Sequence, residues 1–478
     1  MGEVSGMTAR HIGFIVGLLA FGVTLVVPPP AGMSAQAWSV AGLVVWMAAW
    51  WMTEALPLTV TAMLPFLVLP MSNVMTANET ASAYYSPILF LILGGAFIAL
   101  AIERTGLHRR LALALLKSIG ANGGQGRLLF AFMVAAAILS MAISNTSTSL
   151  IMMPMALAVL TGGGMDDSHK EGLNGALPMG IAFAASIGGL GTIVGSPTNA
   201  IAVGLVDQLT GTRITFAQWS LFGLPVVLVG VPLAAWIIAR VQQVSAHPFD
   251  VAGARQAIDT HTQWSTAEKR LVPLIAGTFA LWLAQPLLEP MMPKGALTDG
   301  TIAVAASFLL FILPDGTGRP LLTWQEADRA PWGVIMMFGG GLALAAGMGE
   351  SGLAEWLGQS LLPLASVPLI VVALAVVALM IVITEFASNV ATASAIMPVV
   401  ASLGIALGVD PIWLAMPAAL ASSWGFMLPA GTGPNAIAWA TNRIALPRMI
   451  GAGAGLDVAG VFLIVGVVWA MQALLGFG

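Results

Sequence analysis

The chain reads as long apolar runs separated by short polar, glycine-rich or proline-rich breaks. About 20 apolar residues is the length a helix needs to cross the hydrocarbon core of a bilayer. The pattern predicts helices over residues 12–27, 37–52, 57–72, 86–103, 219–239, 271–289, 298–313, 331–348 and 453–476. Two further helices, 176–207 and 412–441, are interrupted at Gly195-Ser-Pro-Thr-Asn199 and Gly431-Thr-Gly-Pro-Asn435. Glycine and proline there should unwind the helix.

Two longer blocks, 128–160 and 366–404, decide the topology. Each is too long for one perpendicular span and too short for two spans with a turn, which need about 40 residues. Each also has a polar centre, Ser144-Asn145-Thr146 in the first and Ser388-Asn389 in the second. Such a block reads as a re-entrant helical hairpin whose polar tip is buried in protein near mid-membrane. The predicted fold class is therefore an all-α polytopic membrane protein with about eleven transmembrane helices and two re-entrant hairpins.

Composition agrees. Soluble chains carry roughly 25% charged residues; this one carries 8%, with 58% hydrophobic. A β-barrel would show short alternating segments instead. The first apolar run ends in Pro28-Pro29-Pro30 rather than a small-residue cleavage site, so it is expected to be retained. There is no cysteine, hence no disulfide or thiol chemistry. The net charge of −4 gives no reason to expect nucleic acid. His11, His108, His169, His247 and His261 fall in loops or at helix ends and suggest no metal centre. No Walker-type loop is present, which argues against ATP drive, and no Ser/His or paired-Asp constellation points to an enzyme.

Charge also sets the threading. With the N-terminus inside and each hairpin returning to the side it left, all 17 Lys and Arg except Arg213 and Lys294 are cytoplasmic. Eleven spans then put the C-terminus outside. The run Glu103, Arg104, Arg109, Arg110 reads as the cytoplasmic end of the helix over 86–103.

The halves repeat. LILGGAFIALAIERTGL (91–107) is similar to FGGGLALAAGMGESGL (338–353), SNTSTSLIMMPMAL (144–157) to SNVATASAIMPVVASL (388–403), and GSPTNAIA (195–202) to GTGPNAIA (431–438), in the same order. The first hairpin enters from inside and the second from outside, so the repeats are inverted, the usual sign of a secondary transporter with a midplane site. Helix N-termini at such tips suit a carboxylate, and ends of opposite polarity suit a small cation. Asn145 and Asn389 read as functional, because a buried amide is costly unless satisfied. Thr148, Ser149, Thr392 and Ser394 read as backbone-bonded or packing residues. Glu54 reads as a solvated or capping residue as readily as a functional one, and Glu385 as a structural pair or a tuner of cation affinity.

Over essentially its whole length the chain resembles the divalent anion/sodium symporters, bacterial and animal dicarboxylate and citrate carriers. The resemblance rests on WWMTEALPLTVTAMLP (50–65), the SNT tip, TEFASNVATASAIMP (384–398) and MLPAGTGPNAIAWA (427–440). It implies one sodium site at Ser140, Ser144, Asn145 and Gly195, and a second at Thr384, Ala387, Asn389 and Gly431. It implies substrate contacts from Asn145, Thr146 and Asn389, with Pro197 and Gly433 lining the pocket. Val390 replaces the second tip's Thr; it cannot donate a hydrogen bond but can pack against a carbon skeleton. Gly433 stands where many relatives have Pro.

The family fold is a homodimer in which a scaffold supports an elevator-like transport domain. Here the scaffold maps to 1–127 and 244–365, and the transport domain to 128–243 and 366–478. The implied function is Na⁺-coupled uptake, across the inner (plasma) membrane, of succinate, fumarate, malate or a related di- or tricarboxylate. A sodium-independent exchanger, a sulfate transporter and, from another class, an ion channel are the alternatives.

Overall fold

The structure, a computed structural model, describes residues 9–120, 124–165, 170–247, 249–250, 253, 263–361, 363 and 366–475. Arg255, His169, His261 and the last residue of the predicted 453–476 helix lie outside them. Among the described residues every extended element is helical, and the only β pairing is a single bridge between Pro314 and Pro320. Eight helices among the described residues are long and apolar enough to cross a membrane.

The first predicted helices are α1 (Ala9–Val26) and α2 (Ala35–Thr53), which pack along each other. Glu54 closes α2 in the left-handed conformation, with φ 49°, and its N–H bonds Trp50 O. Its side chain is exposed and pairs with Arg10 at 3.6 Å. The predicted 57–72 helix is instead two pieces, α3 (Leu58–Thr61) and α4 (Leu64–Met71). Pro65 sits at the second position of α4, where its missing N–H costs nothing, so a new helix starts there. After α5 (Ala77–Ala83) comes α6 (Ile88–Thr105), which ends at Gly106 with φ 76°.

That glycine corrects the reading of Arg109 and Arg110 as the end of one helix. They lie on a separate helix, α7 (Leu107–Gly120), whose apolar residues Leu107, Ala112 and Leu116 are buried while the helix packs along the next one.

The first block is α8 (Gln125–Ser140) and α9 (Asn145–Gly162) joined by a four-residue turn. At 16 and 18 residues each limb is about 24–27 Å long, short of the roughly 30 Å hydrocarbon thickness. The first interrupted helix is α10 (Gly172–Gly189) and α11 (Pro197–Thr210), followed by α12 (Phe216–Val241). Then come α13 (Thr266–Leu288), α14 (Asp299–Ile312), α15 (Trp324–Ala327), α16 (Trp332–Glu350) and α17 (Leu353–Leu361). The second block is α18 (Leu369–Phe386) and α19 (Asn389–Ala406). The second interrupted helix is α20 (Ile412–Ala421) and α21 (Gly433–Ala440), and the chain closes with α22 (Leu446–Leu475), which starts seven residues before the predicted 453.

Packing pairs corresponding pieces of the two halves. The second limb α9 lies on α21, and the matching limb α19 lies on α11. The closing helices α12 and α22 pack on each other, while α6 packs on α14. Small residues permit this closeness: a Cβ on Gly188 would fall 2.3 Å from Ala137 O, and one on Gly94 2.8 Å from Ala303 O.

In the last turn of α6, Arg104 binds Asp315 and Glu326, which lie outside the spans, and donates to Leu321 O. Asp315 also accepts from the Thr317 hydroxyl and N–H, both at 2.7 Å. The Thr317 hydroxyl first, then Arg104, hold its carboxyl far below the usual carboxylate range. A depressed folded value contributes stability above the unfolded value, about 3.9, and loses it as pH falls further. Arg104→Ala should therefore lower the melting temperature by an amount constant between about pH 5 and 8 and shrinking below about pH 4, followed by tryptophan fluorescence.

Candidate functional site

Both tips are built alike. Ser144 caps α9, its Oγ accepting from Ser147 N at 3.1 Å, and Ser388 caps α19 by accepting from Ala391 N at 3.2 Å. The serine takes the capping position, so the following asparagine becomes the first helical residue and turns back to the preceding limb. Asn145 thereby meets Ser140, the last residue of α8, and Asn389 meets Thr384, near the end of α18.

The breaks repeat a second pattern. Thr192 accepts from Gly195 N at 3.0 Å, and Thr432 from Asn435 N at 3.2 Å. The amide of Asn199 donates to Gly189 O and Thr192 O at 2.7 and 2.8 Å, and that of Asn435 to Leu428 O at 3.1 Å. Both asparagines are fully buried. They satisfy carbonyls that unwinding would otherwise orphan.

At the first tip the Asn145 amide faces three oxygens: Ser140 Oγ at 2.7 Å, and Gly195 O and Ala185 O each at 3.2 Å. Nitrogen and oxygen of an amide are assigned from such surroundings. With its NH₂ inward, Asn145 shares its two hydrogens among the three; with Oδ1 inward, four oxygens converge with one hydroxyl hydrogen among them. The second arrangement is the neutral, oxygen-only shell that a small hard cation takes. Room there is tight, since a Cβ on Gly195 would lie 2.5 Å from Gly189 O and 2.9 Å from Ser140 O, and one on Gly189 2.2 Å from Asn145 Oδ1.

At the second tip the buried Thr384 hydroxyl lies 2.8 Å from Asn389 Oδ1 and 2.7 Å from Ser422 O. Gly425 and Gly431 flank it, a Cβ on each coming within 3.0 Å of Thr384 Cγ2 and 3.2 Å of Glu385 O. Ala387 is buried and its N–H closes α18 on Ile383 O at 3.0 Å.

The two halves touch at Thr146, whose Oγ1 would be 2.5 Å from a Cβ on Gly433, so this contact needs the glycine. Pro197 and Ser144 line a cavity of about 240 Å³ beside α6, with Ser147, Glu103 and Arg329 also on its wall. Thr146, Asn389, Val390 and Gly433 do not line that cavity. Val390 is half-buried and packs against the apolar core. Thr148, Ser149, Thr392 and Ser394 are buried, and no hydrogen-bond partner reaches their hydroxyls, so of the two roles expected of them they take the packing one.

Ala185, Ser422, Gly189, Gly425 and Thr192 join these clusters without having been expected. Ser422 contributes its backbone carbonyl from the C-cap of α20, where such a group lacks an intrahelical partner, and Ala185 contributes one from near the end of α10. Small residues clustered at those ends, Gly188, Gly189 and Gly191 in one and Ser422, Ser423 and Gly425 in the other, are the signal that could have found them.

Paired polar clusters enclosed by apolar helices suit a membrane transporter, and the family and relatives that the chain matches are transporters rather than enzymes. The chain belongs to the family described as the sodium:sulfate symporter transmembrane region, which it matches over residues 8–476. Among its relatives is the sodium-dependent dicarboxylate transporter SdcS of Staphylococcus aureus strain MRSA252, 37% identical over 98% of this chain and 92% of the relative. The protein of the same name from strain USA300 is 37% identical over 97% and 92%. Of solved structures, the Alcanivorax borkumensis YdaH transporter, described as having an unusual topology, is similar in fold with a TM-score of 0.59. The match has 16% identity and covers 87% of this chain and 89% of that one.

Proposed function

We propose that the protein carries a C4-dicarboxylate such as succinate, fumarate or malate into the cell together with Na⁺. The observation that carries this reading is the convergence of Ser140 Oγ, the Asn145 amide, Gly195 O and Ala185 O in a cluster without charged side chains. The similar cluster at Thr384, Asn389 and Ser422 O doubles it. A neutral oxygen shell favours a monovalent cation that must leave again, since no fixed charge traps it. Ser144 and Asn145 with Gly195, and Ala387 and Asn389 with Gly431, complete the proposed cation sites.

The same tips present the N-termini of α9 and α19, whose free N–H groups and positive dipole ends suit the two carboxylates of one anion. Asn145, Thr146 and Asn389 are the proposed substrate donors, with Pro197, Val390 and Gly433 bounding the carbon skeleton. The names of the Staphylococcus aureus relatives support sodium dependence and a dicarboxylate substrate.

The matched order of tips and breaks supports inverted repeats. In this reading residues 128–243 and 366–478 form a transport domain that moves as an elevator against 1–127 and 244–365. The protein is then a homodimer with its N-terminus cytoplasmic and its C-terminus external. The test is uptake of labelled succinate by proteoliposomes. An inward Na⁺ gradient should drive accumulation, and collapsing it should return uptake to background. Uptake that ignores Na⁺ but is accelerated by internal dicarboxylate would replace symport with exchange.

A further inference from the structure

The amphipathic helix α7 takes no part in either polar cluster, and a pocket of about 520 Å³ opens beside it. Arg109, Leu113 and Lys117 of α7 line it, four residues apart on one face, with Arg110 next to them. The start of α13 adds Ser265, its cap, and Glu268, in its first turn. Thr105, the last residue of α6, also reaches the wall. Both α6 and α13 are long and apolar enough to cross a membrane, and they pack on each other. The pocket therefore lies where two spans leave the hydrocarbon, at the level of lipid headgroups.

Its charge is lopsided. Among the described residues Glu268 is the acid on a wall that carries Arg109, Arg110 and Lys117. Glu268 is committed to Arg110, accepting from its Nε at 2.8 Å and its Nη2 at 3.1 Å. The same guanidinium lies over the Trp264 ring, 4.5 Å from its centroid. That ring is exposed, and tryptophan is enriched at the headgroup level. Arg109 is exposed too, and among the described residues no acid pairs with it. Leu111, next to Arg110, and Val272, one turn beyond Glu268, leave apolar side chains exposed.

The other half supplies a contrast. The block over 338–353 matches that over 91–107, so α17, which follows the one, corresponds to α7, which follows the other. Yet α7 carries three cations and no acid, whereas α17 carries Glu355 and neither Lys nor Arg. In the inverted arrangement proposed above the two helices lie at opposite membrane faces. The cationic one falls on the cytoplasmic side, where anionic lipid attracts basic groups.

We propose that this pocket holds the phosphodiester headgroup of an anionic phospholipid of the cytoplasmic leaflet. Arg109 and Lys117 are its charge contacts, Glu268 fixes Arg110 at the edge, and the acyl chains run along Leu111 and Val272. The proposed threading serves only to choose the leaflet, and the inference does not depend on the cargo.

The test uses the full-length protein in neutral detergent, with phosphatidylglycerol and phosphatidylcholine as probes and native mass spectrometry as the readout. Wild type should retain phosphatidylglycerol in preference to phosphatidylcholine. The double variant Arg109→Gln/Lys117→Gln should raise the half-saturating phosphatidylglycerol concentration about tenfold or more, with phosphatidylcholine unaffected. Glu355→Gln should bind as wild type does. A photoactivatable phosphatidylglycerol should label wild-type peptides from α7 and the start of α13, a readout that stands even where the double variant does not fold. Inorganic phosphate should not compete with the lipid. Equal retention of the two lipids by wild type, labelling confined to other helices, or unchanged affinity in a folded double variant overturns the proposal. Competition by inorganic phosphate at the lipid's own concentration overturns it as well, since the pocket is then a site for a free anion.

Discussion

Asn145→Ala and Asn389→Ala will each cut Na⁺-driven uptake by about 10- to 100-fold or to background, while the protein stays folded in the membrane. Each asparagine is asked to serve a cation on one side and a carboxylate on the other. Hydrogen bonds to charged groups are worth roughly 1.5–3 kcal/mol, and each 1.4 kcal/mol is tenfold. Folding should survive, because the tips keep their Ser144 and Ser388 caps. Size-exclusion profiles and uptake measured on the same preparations separate the two effects. Normal uptake in both variants would mean that the tips do not hold the cargo.

Gly195→Ala will be nearly as damaging, for a different reason. The new methyl would meet Gly189 O at 2.5 Å and Ser140 O at 2.9 Å, both backbone atoms that cannot rotate aside. Overpacking of this kind costs about 1–3 kcal/mol, and here it displaces the carbonyl of Gly195 itself from the first cluster. Uptake should fall at least about tenfold and the half-saturating Na⁺ concentration should rise. Gly277→Ala is the control. It lies in α13 with nothing within 4 Å of its Cβ position, and alanine there should be neutral or mildly stabilising. Equal behaviour of the two variants would remove the steric argument for the first cluster.

The tips and breaks were legible in the sequence because their signals are local. Ser-Asn inside an apolar block is expensive in lipid unless it is used, and Pro-Asn after glycine interrupts a helix whatever surrounds it. The structure puts turns at 141–144 and 387–388 and breaks at 190–196 and 422–432, where those signals lie. Helix ends were less legible, since caps and glycines move them. Ser265 and Glu268 form a capping box that starts α13 at Thr266 rather than 271. Gly451, Gly453 and Gly455 dilute the apolar pattern at the start of α22 and hide its first turns.

The amphipathic helix α7 was invisible to a search for long continuous apolar runs, because His108, Arg109, Arg110 and Lys117 confine its apolar residues to a short stretch. The carbonyls of Ala185 and Ser422 were harder to read, since a backbone oxygen carries no residue signature and only the small residues clustered near them point there.

The central claim is that one anion sits between two tips with a cation cluster at each. It is tested most directly by a structure of the protein in lipid with Na⁺ and succinate. The account predicts density for an elongated anion at hydrogen-bond distance from Asn145 and Asn389. It also predicts compact density, with short oxygen-only contacts, inside Ser140–Asn145–Gly195 and Thr384–Asn389–Ser422. Anion density elsewhere, with both clusters closed on their own hydrogen bonds, would contradict it.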